Sequence, residues 1–235
     1  MAALWRYPVK SMQGELLDAA DVDRHGIQRD RHWALVDVET GLALTGRRQP
    51  ELLFASAHLD GDAVRISLPD GSEPSCDADL SDWLGRKVRL DTAAPRGGLF
   101  ETPADPEHED GEWYRWRGPG GSFHDSTRTH LSIVSRTTMR DWDVRRFRPN
   151  VVVDGVGEDE FVGATVRAGT ATLAVMKQID RCVVVTRAQP GLTRDLDVIR
   201  VINRERGSYL GVGAVVTTAG RIAVGDELSR CRTDG

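Results

Sequence analysis

Three short stretches of the sequence carry residues that could bind an anion or act as a nucleophile. The segment YPVKSM places Lys10 and Ser11 directly after a proline, which stiffens the backbone beside a cation and a hydroxyl. A second segment, RRFRPN, places Arg148 and Asn150 around another proline, and a third, DRCVVVT, contains Cys182. Guanidinium groups bind phosphate in a bidentate geometry, and rigid placement lowers the entropic cost of binding. These stretches therefore predict an oxyanion site near a thiol.

Each of these features also has a simpler explanation. A single basic side chain is usually a solvated surface charge, and a cysteine in a strand is most often a small core residue. The charged residues Asp180 and Arg181 instead place the thiol of Cys182 at the mouth of a strand, where a neighbouring cation favours the thiolate. A thiolate is the form that attacks electrophiles and binds thiophilic metals. Cys76 and Cys231 have no such context, so only Cys182 is a candidate.

The composition limits the classes of protein to which the chain can belong. It has 235 residues, of which 40% are hydrophobic and 29% are charged, as in a soluble protein with a sizeable core. A net charge of −5 argues against nucleic-acid binding. Three scattered cysteines without a C-x-x-C pair argue against a disulfide framework and a structural zinc site. No apolar run is long enough to span a membrane, and no signal peptide is recognisable, so we expect a cytoplasmic protein without a membrane partner.

The elements that position the candidate residues are predicted to be mainly short strands. Apolar runs, RCVVVT among them, alternate with glycine, proline or polar breaks, which is typical of a closed or nearly closed β-barrel with helical decorations. Helices are predicted for DADLSDWLG, for a segment capped by Ser135 that continues through Met139 and Trp142, and for TRDLDVIRVINRER capped by Thr193. The expected fold class is therefore mainly β with some α.

An acidic segment divides the chain into two predicted domains. Residues 101–112, ETPADPEHEDGE, are predicted to form a mobile surface loop rather than a carboxylate metal site, because acidic segments poor in apolar residues rarely order. This division places a strand-rich domain at residues 1–100 and a second β domain at residues 113–235.

Five motifs occur in an order that resembles one known family. Along the chain they are YPVKSM, DRHW, FRPNVVVDG, DRCVVVT and GRIAVGDEL. Together they are similar to the MOSC-domain proteins, in the branch that includes the mitochondrial amidoxime reducing component and its bacterial relatives. The resemblance extends from about Leu4 to Leu228. It implies a MOSC β-barrel preceded by a smaller strand-rich N-terminal domain.

The resemblance also implies a site for the molybdenum cofactor, a molybdopterin that holds the metal. The family's cysteine ligand to molybdenum corresponds to Cys182, which is therefore both the metal ligand and a catalytic residue. Asp125, in the segment FHDSTRTHL, is implied to be a second catalytic residue that orients the substrate or relays a proton. The residues implied to bind the cofactor are Lys10, Ser11, Arg31, Ser126, Arg148, Asn150 and Arg181.

Three functions remain open. In the first, the protein reduces N-hydroxylated small molecules such as hydroxylamines, amidoximes or N-hydroxylated bases. Its electrons would come from a separate reductase, ferredoxin-like or a flavoprotein, because the chain has no cysteine set for an iron–sulfur cluster. In the second, the protein is a non-redox carrier of the cofactor or of sulfur, and Cys182 holds a persulfide. In the third, the cofactor site has decayed and the cysteine is merely packed.

The sequence departs from the family pattern around the cysteine. Asp180 stands where many relatives have a proline or a small residue, and TRAQPGL replaces an acidic segment. Arg187 and Gln189 are therefore predicted to alter the charge of the pocket and the choice of substrate.

Overall fold

The computed structural model of the chain describes residues 1–93, 95, 97–105, 110–155 and 157–231. The fold is mainly β with some α, as predicted. The strands within these residues are β1 Ala3–Arg6, β2 Glu15–Leu17, β3 Ala19–Asp23, β4 Gly26–Ile27, β5 Trp33–Asp37, β6 Ser56–Asp60, β7 Ala63–Ser67, β8 Val88–Thr92, β9 Leu99–Pro103, β10 Trp113–Arg117, β11 Leu131–Ser135, β12 Val151–Val153, β13 Thr165–Ala168, β14 Ala171–Asp180, β15 Tyr209–Thr218, β16 Gly220–Ala223 and β17 Leu228–Arg230. The α-helices are α1 Asp77–Leu84, α2 Arg136–Met139 and α3 Asp197–Arg206. Short 3-10 helices lie at Pro50–Phe54, Val144–Arg146, Glu158–Phe161 and Val183–Thr186.

Eight strands form one curled sheet in the order β17-β13-β14-β15-β11-β12-β1-β2. Neighbouring strands are antiparallel except β11 and β12, which are parallel. Along β14, buried Ala171, Leu173 and Val175 alternate with more exposed residues, which is the two-residue period of a strand with one face on a core. The small sheet β16-β3-β4 adds buried residues such as Val22 and Ile222 to the same core.

The first strands of the chain pair with strands from its second half. β1 lies between β2 and β12, where Ala3 pairs with Val152, and β3 pairs with β16. The amide of Trp5 also donates to the carbonyl of Asn150 at 2.8 Å. This pairing brings the YPVKSM segment beside FRPN, although the two are far apart in sequence. The boundaries at residues 100 and 113 stay a prediction.

A second core lies under the remaining N-terminal strands. β5 pairs with β8 and β6 pairs with β7, and α1 packs Leu80 against the cluster that these strands form with Val9 and Met12. α1 ends at Gly85, which adopts the left-handed conformation at φ 62°, so the helix predicted for DADLSDWLG is confirmed. None of the described helices is both long enough and apolar enough to cross a membrane.

Two sequence predictions of local structure around the cysteine were wrong. VVVT of the RCVVVT run, residues Val183–Thr186, forms a 3-10 helix rather than a strand. The turn is closed by the amide of Val185, which donates to the carbonyl of Cys182 at 3.2 Å, and by the amide of Arg187, which donates to the carbonyl of Val184 at 3.1 Å. The buried guanidinium of Arg146 donates to the carbonyls of Val185 at 3.2 Å and Arg187 at 3.3 Å. α3 begins at Asp197 and not after Thr193, because the amide of Asp195 donates to Thr186 at 2.9 Å and keeps the preceding residues in a loop.

Two further predictions need correction. The helix capped by Ser135 ends at Met139, short of Trp142, because Arg140 has a φ of 57° and leaves the helical conformation. The acidic segment begins as a strand, since β9 and β10 form an antiparallel hairpin in which Glu101 pairs with Arg115. Residues 106–109 of that segment lie outside the described residues.

Candidate functional site

One cavity of about 370 Å³ is lined by residues from both halves of the chain. Loops after β1, after β4, before β11, before β12 and after β14 converge on it. The structure brings to this cavity all the residues that were predicted to bind the cofactor or to take part in catalysis. They are Lys10, Ser11, Arg31, Asp125, Ser126, Arg148, Asn150, Arg181 and Cys182. Their individual roles stay predictions.

Cys182 lies just after the end of β14 and is partly exposed. Its neighbour Arg181 is fixed by two backbone carbonyls: Nε donates to Leu210 at 2.7 Å and Nη1 donates to Phe147 at 3.0 Å. Nη2 is buried and has no hydrogen-bond partner among the described residues. Burial lowers the pKa of Arg181 to about 10, so the guanidinium remains charged at neutral pH. A fixed cation therefore stands directly beside the thiol.

A tyrosine ring carries two more guanidinium groups. The guanidinium carbons of Arg31 and Arg148 lie 4.7 Å and 4.4 Å from the ring centroid of Tyr7. Nη1 of Arg148 donates to the carbonyl of Met12 at 2.5 Å, while its Nη2 is buried without a partner among the described residues. Burial lowers the pKa of Arg148 to about 10 and raises the pKa of Tyr7. Two cations are thus held side by side, with one N–H group left for a ligand.

Asp30 fixes the loop that carries Arg31. Its carboxylate accepts hydrogen bonds from the amide of Tyr7 at 2.7 Å and from Nδ2 of Asn150 at 3.0 Å, and it forms an ion pair with Arg31. Oδ1 of Asn150 accepts from both the amide and the hydroxyl of Ser132 at 3.1 Å. The amide of Asn150 is therefore engaged within the protein. Asp30 was missed from the sequence, although it precedes Arg31 in the DRHW motif.

Lys10 and Asp125 form an ion pair at the cavity wall. The lysine side chain is 4% exposed, and its Nζ donates to Asp125 at 2.5 Å and to the carbonyl of Phe123 at 3.2 Å. Burial lowers the pKa of Lys10. The surrounding protein raises the pKa of Asp125, but the Lys10 ammonium more than offsets this and the net shift is downward. Because the aspartate side chain is 80% exposed, its carboxylate can accept a hydrogen bond from a ligand.

Two stacked histidines extend the same wall. The rings of His124 and His130 are 5.3 Å apart, and burial lowers the pKa of His124 to about 3, so that this imidazole is neutral. Nδ1 of His130 lies 3.0 Å from the carbonyl of Arg24. A carbonyl only accepts hydrogen bonds, so Nδ1 is the donor, and the buried Nε2 has no partner in the described structure. Nothing in the sequence distinguishes these histidines from surface residues.

Backbone strain is concentrated at the predicted cofactor residues. Ser11, Arg31 and Arg148 have φ angles of 69°, 50° and 52°, in the left-handed region that non-glycine residues rarely adopt. The hydroxyl of Ser11 accepts from the amide of Gly46 at 2.8 Å, and that of Ser126 accepts from nearby backbone amides. Strained backbone of this kind is often found at ligand sites, where surrounding contacts hold it in place.

The other polar residues that stood out in the sequence hold the framework. Arg145 bonds Asp143 and the carbonyl of Pro190 at 2.8 Å. Gln189 is 2% exposed and accepts from Nε2 of Gln13 at 2.7 Å. Neither Gln189 nor Arg187 lines the cavity, so their predicted effect on its charge would have to be indirect.

Comparison with known proteins assigns the chain to a family. Residues 1–94 match the family model described as the MOSC N-terminal beta barrel domain, and residues 118–229 match the MOSC domain. The chain belongs to the MOSC family. The resemblance seen in its sequence motifs is thereby confirmed.

Curated relatives of this MOSC protein carry two kinds of name. It is 25% identical over 253 residues to molybdenum cofactor sulfurase of Drosophila grimshawi, covering 90% of this chain and 31% of that protein. It is 24% identical over 226 residues to mitochondrial amidoxime-reducing component 1 of Mus musculus, covering 79% and 65%. The chain therefore spans less than two thirds of the length of either relative.

A solved structure supports the fold assignment for the MOSC protein. The YuaD protein of Bacillus subtilis superposes with a TM-score of 0.50 at 15% identity, covering 98% of this chain and 94% of that one. At this level of identity the likeness concerns the fold alone.

Proposed function

We propose that this MOSC protein binds the molybdenum cofactor in the cavity and reduces N-hydroxylated small molecules with electrons from a separate reductase. One observation carries the proposal: a partly exposed thiol and the four cationic side chains predicted to bind the cofactor line a single cavity. The cations are Lys10, Arg31, Arg148 and Arg181. A phosphate-bearing ligand with a thiophilic metal matches this combination, because the cations suit the phosphate and the thiolate suits the metal.

The unsatisfied groups of the cavity fit such a ligand. A buried N–H group without a partner is costly, and each of Arg148 and Arg181 has one, on Nη2. Anionic oxygens would satisfy both groups and would also balance the positive charge. Arg31, held between Asp30 and the Tyr7 ring, would add a third contact, and Cys182 would supply the thiolate to the metal.

When bound, the cofactor would supply the two-electron chemistry that converts an N–OH group into N–H and water. The protein's own groups would orient the substrate and handle protons, since this conversion consumes two protons along with two electrons. Asp125 accepts a hydrogen bond from Nζ of Lys10 at the cavity wall and could accept another from the substrate hydroxyl.

The test compares Cys182→Ser with Cys76→Ser in protein purified from a cofactor-producing host. Cys76 is exposed at the start of α1, far in sequence from the cavity residues, and serves as the matched control. We expect the Cys182 variant to lose turnover of benzamidoxime with an artificial electron donor, while the control keeps it. Metal and pterin content are measured on each protein. Absence of turnover in molybdenum-loaded wild-type protein would contradict the proposal.

A second candidate is a non-redox carrier of the cofactor or of sulfur. The observation in its favour is the similarity of 90% of this chain to a protein named molybdenum cofactor sulfurase. In this function the exposed part of Cys182 would carry a persulfide. A persulfide that is released by reductant, in protein that retains no metal, would favour the carrier over the reductase.

A further inference from the structure

One wall of the cavity is formed by a hairpin that neither family match includes. The matches end at residue 94 and resume at residue 118, and the hairpin of β9 and β10 lies between them. Phe100, Glu101, Thr102 and Trp116 of this hairpin line the cavity. This wall therefore belongs to the particular chain and not to the part that the family models describe.

The register of the hairpin places Phe100 and Trp116, which both line the cavity, on the same face. Trp116 pairs with Phe100 and Tyr114 pairs with Thr102, and cross-strand partners share a face of the sheet. The rings of Phe100 and Trp116 stack at 4.9 Å with an interplanar angle of 28°. Trp113 and Arg115 fall on the opposite face by the same alternation.

Phe100 anchors this wall, and Trp116 remains available to a ligand. Phe100 is 1% exposed and packs with Phe123, and a Cβ added to Gly118 would come within 2.4 Å of its ring. Trp116 packs on this cluster but keeps part of its surface exposed in the cavity lining. Lys10 Nζ lies 4.8 Å from the Phe100 centroid, so the wall adjoins the Lys10–Asp125 pair.

We propose that Trp116 is a specificity-determining residue that stacks on a planar ring of the substrate. This inference rests on the proposed function, and it names the substrate class as N-hydroxylated amidines attached to an aromatic ring. Trp116 stacks on Phe100, which adjoins the Lys10–Asp125 pair, and the exposed Asp125 carboxylate could accept a hydrogen bond from the N-hydroxyl group of a substrate held at this wall. The cofactor's pterin is the other planar ring that this wall could hold, and the experiment below separates the two.

The experiment compares benzamidoxime with acetamidoxime, which has the same reacting group without the ring. Trp116→Leu keeps an apolar side chain against Phe100, Trp116→Phe keeps a ring, and Trp113→Leu removes a tryptophan from the opposite face. We expect Trp116→Leu to lower kcat/KM for benzamidoxime by about tenfold, as for loss of one aromatic contact, and to leave acetamidoxime within about twofold of wild type. Trp116→Phe and Trp113→Leu should behave like wild type.

Other outcomes overturn the proposal. If Trp116→Leu lowers the rates for both substrates together with the metal and pterin content, the wall holds the cofactor and not the substrate. If Trp116→Leu reduces both substrates at the wild-type rate, Trp116 does not stack on the ring of the substrate.

Binding measurements keep this inference separate from the proposed function. Benzamidine and acetamidine, the corresponding products, are titrated into the same proteins by calorimetry. If wild-type protein reduces neither substrate, the proposed function fails. A preference for benzamidine that Trp116→Leu abolishes would still support a ring-binding wall, and the absence of any preference would overturn it.

Discussion

Asp30 connects three parts of the site, although it was not selected from the sequence. The residue is 2% exposed. Its carboxylate contacts Tyr7, Arg31 and Asn150, each of which leads to a different strand or loop. Removing it would leave the Arg31 guanidinium without its buried counter-charge. Small changes at this position should therefore affect stability as well as ligand binding.

For Asp30→Ala we expect a loss of about 3–5 kcal/mol in the free energy of unfolding, because removing one partner leaves an uncompensated buried charge. Urea denaturation followed by fluorescence measures it. The control is Asp21→Ala, which removes an exposed ion pair of 3.2 Å with Arg221 and should cost about 1 kcal/mol or less. Equal losses of stability in the two variants would show that the Asp30 network contributes no more than an exposed ion pair.

His124 makes stability depend on pH in a predictable direction. Its folded-state pKa of about 3 lies below the ordinary value of 6.5, so between these values the unfolded chain binds a proton that the folded protein excludes. The free energy of unfolding therefore falls as the pH falls through this window, by up to about 1.4 kcal/mol per pH unit. Above pH 6.5 the effect disappears, because the imidazole is neutral in both states.

Between pH 7.5 and pH 5 we expect wild-type protein to lose about 2 kcal/mol more stability than His124→Gln, in which glutamine replaces the donor to His25. Urea denaturation at the two pH values tests this. His58→Gln, at an exposed position, should follow wild type. Parallel losses in wild type and His124→Gln would rule out His124 as the origin of the effect.

At the scale of residues, the sequence identified the groups that stand in motifs and missed those defined by tertiary contacts. The sequence alone was enough to select Lys10, Arg148 and Cys182, because each is a cation or a thiol close in sequence to a proline or to another charged residue. Asp30 and His130 could not, because their importance lies in partners on distant loops. A carboxylate that binds several separate segments can be recognised only after the fold has shown which residues contact it.

At the scale of elements, β15 depends on a single glycine. Gly211 has a φ of 83°, and a Cβ there would lie 2.6 Å from Val134 Cγ2, 2.9 Å from the carbonyl of Ile133 and 3.1 Å from Nη2 of Arg181. The close approach of β15 to β11 and the placement of Arg181 thus both require the absence of a side chain.

Gly211→Ala should therefore lose more stability than the strained conformation alone explains. Gly41 has a similar φ of 70° and open space around it, so Gly41→Ala measures the strain by itself, about 1–2 kcal/mol. We expect Gly211→Ala to lose a further 1–3 kcal/mol, roughly the cost of overpacking. Thermal and urea unfolding of both variants test the difference. If Gly211→Ala and Gly41→Ala lose the same stability, β11 can shift to make room for the added Cβ.

Element prediction succeeded where a local signal determines the structure. α1 has its apolar face and its terminal glycine within ten residues, and it forms as predicted. The valine run after Cys182 has a strong preference for strands, yet it forms a 3-10 helix, and Arg146 from a distant segment donates to the carbonyl of Val185 within it. Propensity cannot anticipate a distant side chain that supplies the hydrogen bonds of a segment.

At the scale of the whole molecule, the two halves depend on each other. β1, β2 and β3 come from the first 23 residues, yet β1 and β2 join the eight-stranded sheet and β3 pairs with β16. A fragment of residues 113–235 would expose the edge of β12 and the core face that β3 covers. The alternation of strands in the sequence could predict a mainly β fold but not this exchange, because strand order follows from three-dimensional packing.

We therefore expect residues 113–235, expressed alone, to be insoluble or to lack cooperative unfolding. Co-expression with residues 1–112 should restore a soluble complex, because the missing strands are then present. Size-exclusion chromatography and circular dichroism distinguish these results. A monomeric 113–235 fragment that unfolds cooperatively would contradict the dependence on β1 and β3.

The position of β1 between β2 and β12 has a consequence for synthesis on the ribosome. The strand emerges first, but its partner around Val151 is translated well over a hundred residues later. At roughly 5–20 residues per second, β1 must wait on the order of ten seconds or more with its apolar side uncovered. The nascent polypeptide, more than the finished protein, is therefore the species that depends on chaperones.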